Sequence, residues 1–239
     1  MPISAGSCIQ GLSLDFFGTL VTVDEDRPSM ATVLTSLGFR CTDSMESIWN
    51  THGFDGQETP THSSEPDYLT WRRTNLARLA ASSGVPTHLI GAVVENLEEN
   101  DLSWTVKAKP GAAELLTFLT THGIPATICS NWDYGLSPYL RQAGLPDEFP
   151  RVISSFVGVR KPATRIFGEV ARQLTLPPHA ILHVGDSAEA DVIGALRAGM
   201  QSGYLRSERS TLTLPSTLVE VFPSLYSVLD FLRVRLSLY

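Results

Sequence analysis

Apolar residues change their spacing along the chain, and these changes predict where strands and helices lie. The first apolar run, at about 9–14, is short and continuous, which is typical of a strand buried in a parallel sheet. Between about Asp24 and Asp101 the apolar residues recur at helical spacing, and we predict no strand there. From Trp104 onward, short apolar runs alternate with amphipathic stretches, which indicates alternating strands and helices.

The middle segment contains four predicted helices. They cover about 29–37, 43–50, 68–81 and a stretch that begins at Pro86, with a polar loop over 51–67. We interpret residues 24–103 as a helical insert between the first strand and the rest of the core. The predicted core then comprises residues 1–23 and 104–239.

The alternating part of the chain predicts the architecture of this core. Strands are expected at about 124–129, 152–153, 180–184 and 201–205. Helices are expected at about 112–121, in a segment ending near 143, and at about 163–174, 188–198 and 224–236. This order favours the α/β class, with a doubly wound parallel sheet.

Composition and charge narrow the class of protein. The 239 residues are 43% hydrophobic and 18% charged, which is ordinary for a folded globular protein. The net charge is −7 without a basic run, which argues against nucleic acid or an anionic membrane as a partner. No apolar run reaches the roughly 18 residues of a spanning helix, and we predict a cytoplasmic protein. The three scattered cysteines give neither a disulfide framework nor a zinc site.

Reactive side chains follow several of the predicted strands. They are Asp15, Ser130, Asn131, Lys161, Asp186 and Asp191. Three strand ends, one loop and the first turn of one helix carry them. Because the carboxyl ends of parallel strands lie along one edge of a sheet, we expect these side chains to converge there.

The types of these residues predict hydrolytic chemistry. An ionised Asp15 near a cation can attack an electrophilic centre as a nucleophile. Ser130 and Lys161 can stabilise an oxyanion, the first by a hydrogen bond and the second by its charge. Asp186 and Asp191 would repel Asp15 unless a hard cation neutralises them, and Mg²⁺ with oxygen ligands fits this need.

The segments around these residues resemble the haloacid dehalogenase superfamily. The resemblance rests on four motifs, which are Asp15-Phe-Phe-Gly-Thr-Leu, Ser130-Asn, Lys161-Pro and Gly185-Asp186-Ser-Ala-Glu-Ala-Asp191. It implies a Rossmann-like core, an aspartyl nucleophile and, in most members, Mg²⁺-dependent hydrolysis of phosphate esters. The helical insert is similar to the cap that this superfamily places between its first two motifs.

The resemblance also implies a role for each matching residue. It places the nucleophile at Asp15, the threonine and serine of the first two motifs at Thr19 and Ser130, and the charge-stabilising lysine at Lys161. It places the Mg²⁺ ligands at Asp15, the backbone carbonyl of Phe17, Asp186 and Asp191. A small phosphorylated metabolite is the expected substrate, hydrolysed through an aspartyl-phosphate on Asp15.

Phe17 departs from the pattern of the phosphatases. They carry a second aspartate there, which acts as general acid and base, and such help is commonly worth roughly 10²–10⁴-fold in rate. The phenyl ring cannot protonate a leaving alkoxide. Three interpretations remain: the leaving group needs no proton, another group donates it, or phosphatase activity is poor.

Two other functions stay open at this point. The 2-haloacid dehalogenases also have an aromatic residue at this position, because a halide leaves without a proton, and Trp71-Arg72 is similar to a pair in their cap. Those enzymes need no metal and lack the first carboxylate of the acidic motif, whereas this chain keeps Asp186. The third hypothesis is a non-catalytic binding protein on the same scaffold.

Substrate contacts are less clearly indicated. Arg72 on the insert is predicted to bind a small anionic substrate, with a solvated helix face as the alternative, and Asn131 is the other predicted substrate-binding residue. His183 lies inside a predicted strand, where a hydrogen-bonded core residue is the expectation. The sequence does not predict the substrate's identity or the oligomeric state.

Overall fold

The computed structural model describes residues 9–25, 28–40, 64–103, 105–132, 135–206 and 219–236. The predicted helix over 43–50 and most of the predicted loop over 51–67 lie outside these ranges.

A six-stranded parallel sheet forms the centre of the molecule. In chain order the strands are β1 (Gly11–Leu14), β2 (Val21–Val23), β3 (Val106–Ala108), β4 (Ala126–Ser130), β5 (Arg151–Ile153), β6 (Ile181–Gly185), β7 (Gln201–Leu205) and β8 (Val219–Phe222). The large sheet has the order β5-β4-β1-β6-β7-β8, and β2 pairs with β3 in a separate antiparallel ribbon. The predicted α/β class with a doubly wound parallel sheet is therefore confirmed.

The helices connect the strands and cover the sheet. They are α1 (Met30–Ser36), α2 (Glu65–Ser82), α3 (Ile90–Leu102), α4 (Ala112–Thr121), α5 (Ser137–Gln142), α6 (Ser154–Val157), α7 (Thr164–Leu174), α8 (Gly194–Arg197) and α9 (Leu225–Leu236). Short 3₁₀ turns lie at Thr87–Leu89 and Pro178–Ala180, and a π-helical segment covers Ala188–Ile193. In the parts that the structure describes, none of the helices has both the length and the apolar character needed to cross a lipid bilayer.

The sheet separates two clusters of buried apolar side chains. Leu12 and Leu14 of β1 belong to the cluster that α4, α5 and α9 cover. Cys129 and Ile181 belong to the cluster beneath α7 and α8. Successive residues of a strand point to opposite faces, so Ser13 lies on the other side of β1 from its two leucine neighbours.

Helices α1, α2 and α3 share a further apolar cluster. Its buried members are Met30, Leu34, Leu76, Leu79, Ala80, Val85, Val93, Val94 and Leu97. Arg73 adds exposed ion pairs from α2 to Glu95 and Glu98 of α3. This packing agrees with a helical insert, while the division of the chain into core and cap stays a prediction.

Some elements differ from the sequence-based expectations. The ribbon of β2 and β3 and the edge strand β8 are absent from the predicted elements, because three or four residues give too short an alternation to recognise. The helix expected at about 188–198 begins with a π-helical segment before α8. Such segments occur often at functional sites.

Candidate active site

Asp15 lies at the carboxyl end of the central strand β1. Its backbone N–H donates to the carbonyl of Val184 in β6 over 2.9 Å, which extends the sheet pairing to the site. The carboxylate is almost completely buried. Lys161 Nζ donates to Oδ1 over 2.7 Å and Thr19 Oγ1 donates to Oδ2 over 3.0 Å, so both carboxylate oxygens have fixed partners.

A tight turn after Asp15 brings Thr19 back to the carboxylate. The backbone N–H of Leu20 donates to the carbonyl of Phe16 over 2.8 Å. Gly18 has a φ of +87°, and a Cβ atom there would collide with the carboxylate of Asp186. Only glycine meets both the left-handed backbone and the close approach.

Lys161 is the central cation of the site. It is 2% exposed, and its ammonium donates to Asp15, to Asp191 Oδ1 over 2.6 Å and to the carbonyl of Cys129 over 2.9 Å. These acceptors use all three of its N–H donors. Burial alone would lower the pKa of Lys161, but the two carboxylates raise that pKa above its ordinary value. Lys161 is therefore a permanent positive charge.

The side chain of Asn131 holds the backbone of Lys161. Its Nδ2 donates to the Lys161 carbonyl over 3.0 Å, and its Oδ1 accepts from the Lys161 N–H over 2.7 Å. This reciprocal pair ties the end of β4 to the loop that precedes α7. The predicted substrate-binding role of Asn131 stays a prediction.

Three carboxylates meet at this edge of the sheet. Asp15, Asp186 and Asp191 each present an oxygen atom, and these three atoms lie within 4.8 Å of one another. Asp186 is exposed, whereas Asp191 is buried and accepts from the Ser187 N–H over 2.9 Å. Such a set of oxygen donors fits a hard divalent cation such as Mg²⁺.

The electrostatics of the cluster also favour a cation. Burial raises the pKa of Asp15 to about 6, against the lowering effect of Lys161. Although Asp186 as a whole residue is exposed, partial desolvation of its carboxylate and the Asp191 charge raise its pKa. For Asp191, burial is outweighed by Lys161 and His183, which hold its pKa below the ordinary range. Near neutral pH, Asp15 and Asp191 are therefore ionised beside one fully buried ammonium.

The structure places the remaining predicted residues in different surroundings. Ser130 is buried at the end of β4, next to β1 in the sheet. Phe17 is 39% exposed, and its ring lies 6.1 Å from that of Trp132. Arg72 lies on α2 and is 6% exposed, so it does not belong to a solvated helix face.

Two residues near the site were not among the predicted functional residues. His183 Nε2 lies 3.1 Å from Asp191 Oδ1, and the sequence-based interpretation gave this histidine only a core role. Lys109 donates to the carbonyl of Gly18. The position of His183, a polar residue inside an apolar strand, could have indicated a functional role. Lys109 follows β3 and reaches the site from the β2–β3 ribbon, which the sequence analysis did not predict.

Comparison with proteins of known sequence shows related hydrolases. Haloacid dehalogenase-like hydrolase domain-containing protein 3 of Xenopus laevis is 37% identical over 94 residues, which are 39% of this chain and 38% of that protein. Pyrimidine 5′-nucleotidase YjjG of Escherichia coli is 34% identical over 100 residues, 41% of this chain and 44% of that protein. The matches thus span less than half the length of these relatives.

A short, more similar match involves a third enzyme. Glyceraldehyde 3-phosphate phosphatase of Methanopyrus kandleri is 46% identical over 55 residues, which are 23% of this chain and 24% of that protein.

Solved structures share the whole fold at low sequence identity. A 2-haloacid dehalogenase from Pseudomonas syringae superposes with a TM-score of 0.63 at 19% identity, over 94% of this chain and 98% of that one. A phosphatase of the same superfamily from Thermococcus onnurineus gives a TM-score of 0.59 at 17% identity, over 93% and 97%. At these identities the likeness shows the fold alone.

The four motifs and most of the core fall within one family model. The model described as haloacid dehalogenase-like hydrolase matches residues 9–199, which include every residue of the carboxylate and lysine cluster. The chain therefore belongs to the haloacid dehalogenase-like hydrolases.

Proposed function

We propose that this hydrolase is a Mg²⁺-dependent phosphatase of a small phosphorylated metabolite, with Asp15 as its nucleophile. The observation that carries the proposal is the meeting of Asp15, Asp186 and Asp191 beside the buried Lys161. A nucleophilic carboxylate, a fixed positive charge and a set of hard oxygen ligands are the parts that phosphoryl transfer needs.

The proposed reaction has two displacement steps. In the first, an oxygen of Asp15 forms a bond to phosphorus, and the bond from phosphorus to the substrate's leaving oxygen breaks. In the second, water attacks phosphorus, the bond to Asp15 breaks, and inorganic phosphate leaves. Lys161, Thr19 and Ser130 orient the nucleophile and stabilise negative charge on the phosphoryl oxygens.

Asp15, Asp186, Asp191 and the carbonyl of Phe17 are the residues that would hold Mg²⁺. When bound, the ion would neutralise charge on the phosphoryl oxygens. Asp191 already accepts from Lys161 over 2.6 Å and from the Ser187 N–H over 2.9 Å, whereas the contact of Asp186 with Thr19 Oγ1 is longer, at 3.5 Å. Asp186 therefore has the greater ligating capacity of the two.

The names of the relatives support a phosphatase over a dehalogenase. The nucleotidase of Escherichia coli and the glyceraldehyde 3-phosphate phosphatase of Methanopyrus kandleri both act on phosphate esters by name. The retained Asp186 points the same way, because a halide needs no metal ion in order to leave. Since the matches cover only part of each relative, neither substrate is carried over to this chain.

Phe17 restricts the substrates that this site would process well. Its ring offers no proton to a departing alkoxide, and leaving groups that are stable as anions do not need one. The ring is also partly exposed beside Trp132, so the two rings give the site an aromatic wall. We therefore propose esters or anhydrides with acidic leaving groups as the better substrates.

We further propose that residues 24–103 act as a cap over this site and that Arg72 of the cap contacts the anionic substrate. The net charge of −7 without a basic run supports an enzyme without nucleic acid or membrane partners, and we propose a cytoplasmic location for it. Metal-independent dehalogenation remains the second candidate, because Phe17 and Trp71-Arg72 favour it. A non-catalytic binding protein is the third.

One pair of assays separates these functions. Hydrolysis of p-nitrophenyl phosphate is measured with Mg²⁺ and with EDTA, beside halide release from 2-chloropropionate. Phosphate release that requires Mg²⁺, without halide release, is the expected result, and the aryl leaving group avoids any penalty from Phe17. Halide release that is insensitive to EDTA would establish dehalogenation instead. Activity in neither assay would favour a narrow substrate or the non-catalytic binding protein.

A further inference from the structure

We infer that His183 is a positioning residue, which Ser13 orients and which holds Asp191 and, through it, Lys161 in place for catalysis. The inference rests on the proposed function. It concerns a histidine that lies outside the four motifs and that the sequence alone assigns to the core.

The sheet brings Ser13 and His183 together. Ser13 of β1 and His183 of β6 are direct partners in the parallel register, and both are fully buried. The imidazole and the ring of Phe167 form an edge-to-face pair, with a centroid distance of 5.1 Å and an interplanar angle of 86°. Strand pairing on one side and aromatic packing on the other therefore restrict the rotation of this imidazole.

Hydrogen bonds define which imidazole nitrogen carries the proton. His183 Nε2 lies 3.1 Å from Asp191 Oδ1, and an ionised carboxylate can only accept, so Nε2 must be the donor. His183 Nδ1 lies 2.8 Å from Ser13 Oγ. In the neutral ring Nδ1 accepts, and the Ser13 hydroxyl is then the donor that fixes this tautomer.

The chain of contacts continues to the nucleophile. Asp191 Oδ1 also accepts from Lys161 Nζ over 2.6 Å, and the same ammonium donates to Asp15 Oδ1 over 2.7 Å. Asp191 Oδ2 accepts from the backbone of Ser187 over 2.9 Å. His183 adds a second donor to Oδ1 beside Lys161, while Ser187 holds Oδ2, and the position of this carboxylate sets the position of the Lys161 ammonium.

Removing the His183 donor would leave one contact of Asp191 unmade in a buried site. Oδ1 would then depend on Lys161 Nζ, and the carboxylate would be less tightly restricted beside the metal site and the lysine. Outer partners of metal ligands typically change metal affinity or activity by about 10–100-fold when they are replaced. A histidine that only fills space would have no such effect beyond its contribution to folding.

Two substitutions at position 183 separate positioning from packing. In His183→Gln the amide nitrogen is as many bonds from Cα as Nε2, so it can donate to Asp191. In His183→Asn the amide nitrogen corresponds to Nδ1 and reaches only toward Ser13. We expect His183→Asn to lower kcat by about 10–100-fold with little change in KM, and His183→Gln to recover most of that loss.

A binding readout accompanies the kinetics. The Mg²⁺ concentration that gives half of the thermal stabilisation is measured by differential scanning fluorimetry for both variants, and we expect it to rise about 10-fold or more only in His183→Asn. Equal losses in the two variants would contradict the positioning role. The same holds if kcat and the Mg²⁺ midpoint stay unchanged in His183→Asn while only its melting temperature falls.

The hydrogen-bond chain has a test that does not depend on activity. Long-range ¹H–¹⁵N NMR correlations of His183 should show the Nε2–H tautomer in the unmodified protein and a loss of that preference in Ser13→Ala. An Nδ1–H tautomer in the unmodified protein would overturn the inference. If the protein hydrolysed no phosphate ester but showed the Nε2–H tautomer, the proposed function would fail while the chain of contacts stood.

Discussion

At the scale of single residues, the site depends on a compact arrangement of buried charges. Asp15, Lys161 and Asp191 are almost completely buried and are joined by hydrogen bonds of 2.6 and 2.7 Å. Removing one member of such a set leaves an uncompensated charge, which is costly in a buried site. For each substitution at these residues, both the stability of the fold and the rate of turnover must therefore be measured.

The amide variant Asp15→Asn removes the nucleophile with the smallest change in shape. We expect turnover to fall by at least about 10³-fold, as for other nucleophile losses, because the amide cannot attack phosphorus. The measurement is Mg²⁺-dependent release of phosphate from p-nitrophenyl phosphate, with circular dichroism as the control for folding. Full turnover in this variant would contradict both the phosphatase and the dehalogenase hypotheses.

The variant Phe17→Asp tests whether a missing general acid limits the enzyme. We expect it to raise the hydrolysis of alkyl phosphates by roughly 10²-fold, the lower end of the range for general acid catalysis, and to change aryl phosphate hydrolysis much less. Phe17→Leu is the matched control, because it removes the ring without adding a proton donor. Equal gains in both variants would mean that access to the site, rather than protonation, was limiting.

At the scale of elements, the order of the strands explains why distant motifs meet. β1 has β4 on one side and β6 on the other, so the residues that follow these strands lie side by side. That point, where the chain order turns to either side of β1, is where parallel sheets bind their ligands. The sequence indicated the strands and the reactive residues, whereas the strand order of the sheet shows which of these residues lie next to one another.

The helical insert can be tested through its own apolar cluster. Leu76 on α2 is fully buried in that cluster, and Leu76→Ala should destabilise the protein by about 2–5 kcal/mol. Leu69 on the same helix is 47% exposed, and Leu69→Ala should change stability by less than about 0.5 kcal/mol. Urea titrations followed by circular dichroism give both values, and similar effects at the two positions would contradict the packing described for α2.

At the scale of the whole molecule, Mg²⁺ should stabilise the fold in a pH-dependent manner. An ion at 100 times its Kd adds about 2.7 kcal/mol, or about 5–10 °C in Tm for a chain of this length. Because the pKa of Asp15 is about 6 and that of Asp186 is also raised, protons compete with the metal in acid. Thermal denaturation should therefore show a larger Mg²⁺ effect at pH 7.5 than at pH 5.

In the metal-free protein, a rise in pH has the opposite effect at Asp15, because ionisation of this residue lowers the stability of the fold. Its folded pKa lies above its ordinary value of 3.8, so its ionisation costs stability as the pH rises from about 4 to above 6. Relative to Asp15→Asn in EDTA, the unmodified protein should lose Tm over that interval. Asp191 acts in the other direction, because its lowered pKa gives stability that is lost only as the pH falls below its ordinary range. A Tm difference that is constant with pH would contradict the burial of Asp15 as an ionised group.

The sequence alone predicted much of this molecule, for identifiable reasons. The helix at 112–121 has clear apolar periodicity, the strand at 201–205 follows from the alternation of helices and strands, and both were located to the residue. Asp15 and Asp186 were found because they follow apolar strands, Lys161 because it lies in a loop between a strand and a helix, and Asp191 because it lies one turn into the helix after Asp186. The His183 contact with Asp191 was missed, because it depends on the register of β1 and β6 and on the π-helical segment, which no local pattern specifies.

Two glycines leave the space that the acidic side chains of the site occupy, so substitutions at these glycines should be harmful. Any side chain at Gly18 would meet the carboxylate of Asp186, and any side chain at Gly185 would meet that of Asp191. Neither glycine has a side chain to bind or react with a substrate, yet each occupies space that an acidic group needs. In a saturation scan scored by function, both positions should be as intolerant as the nucleophile itself. The acidic cluster therefore depends on the small size of its neighbours as well as on its own chemistry.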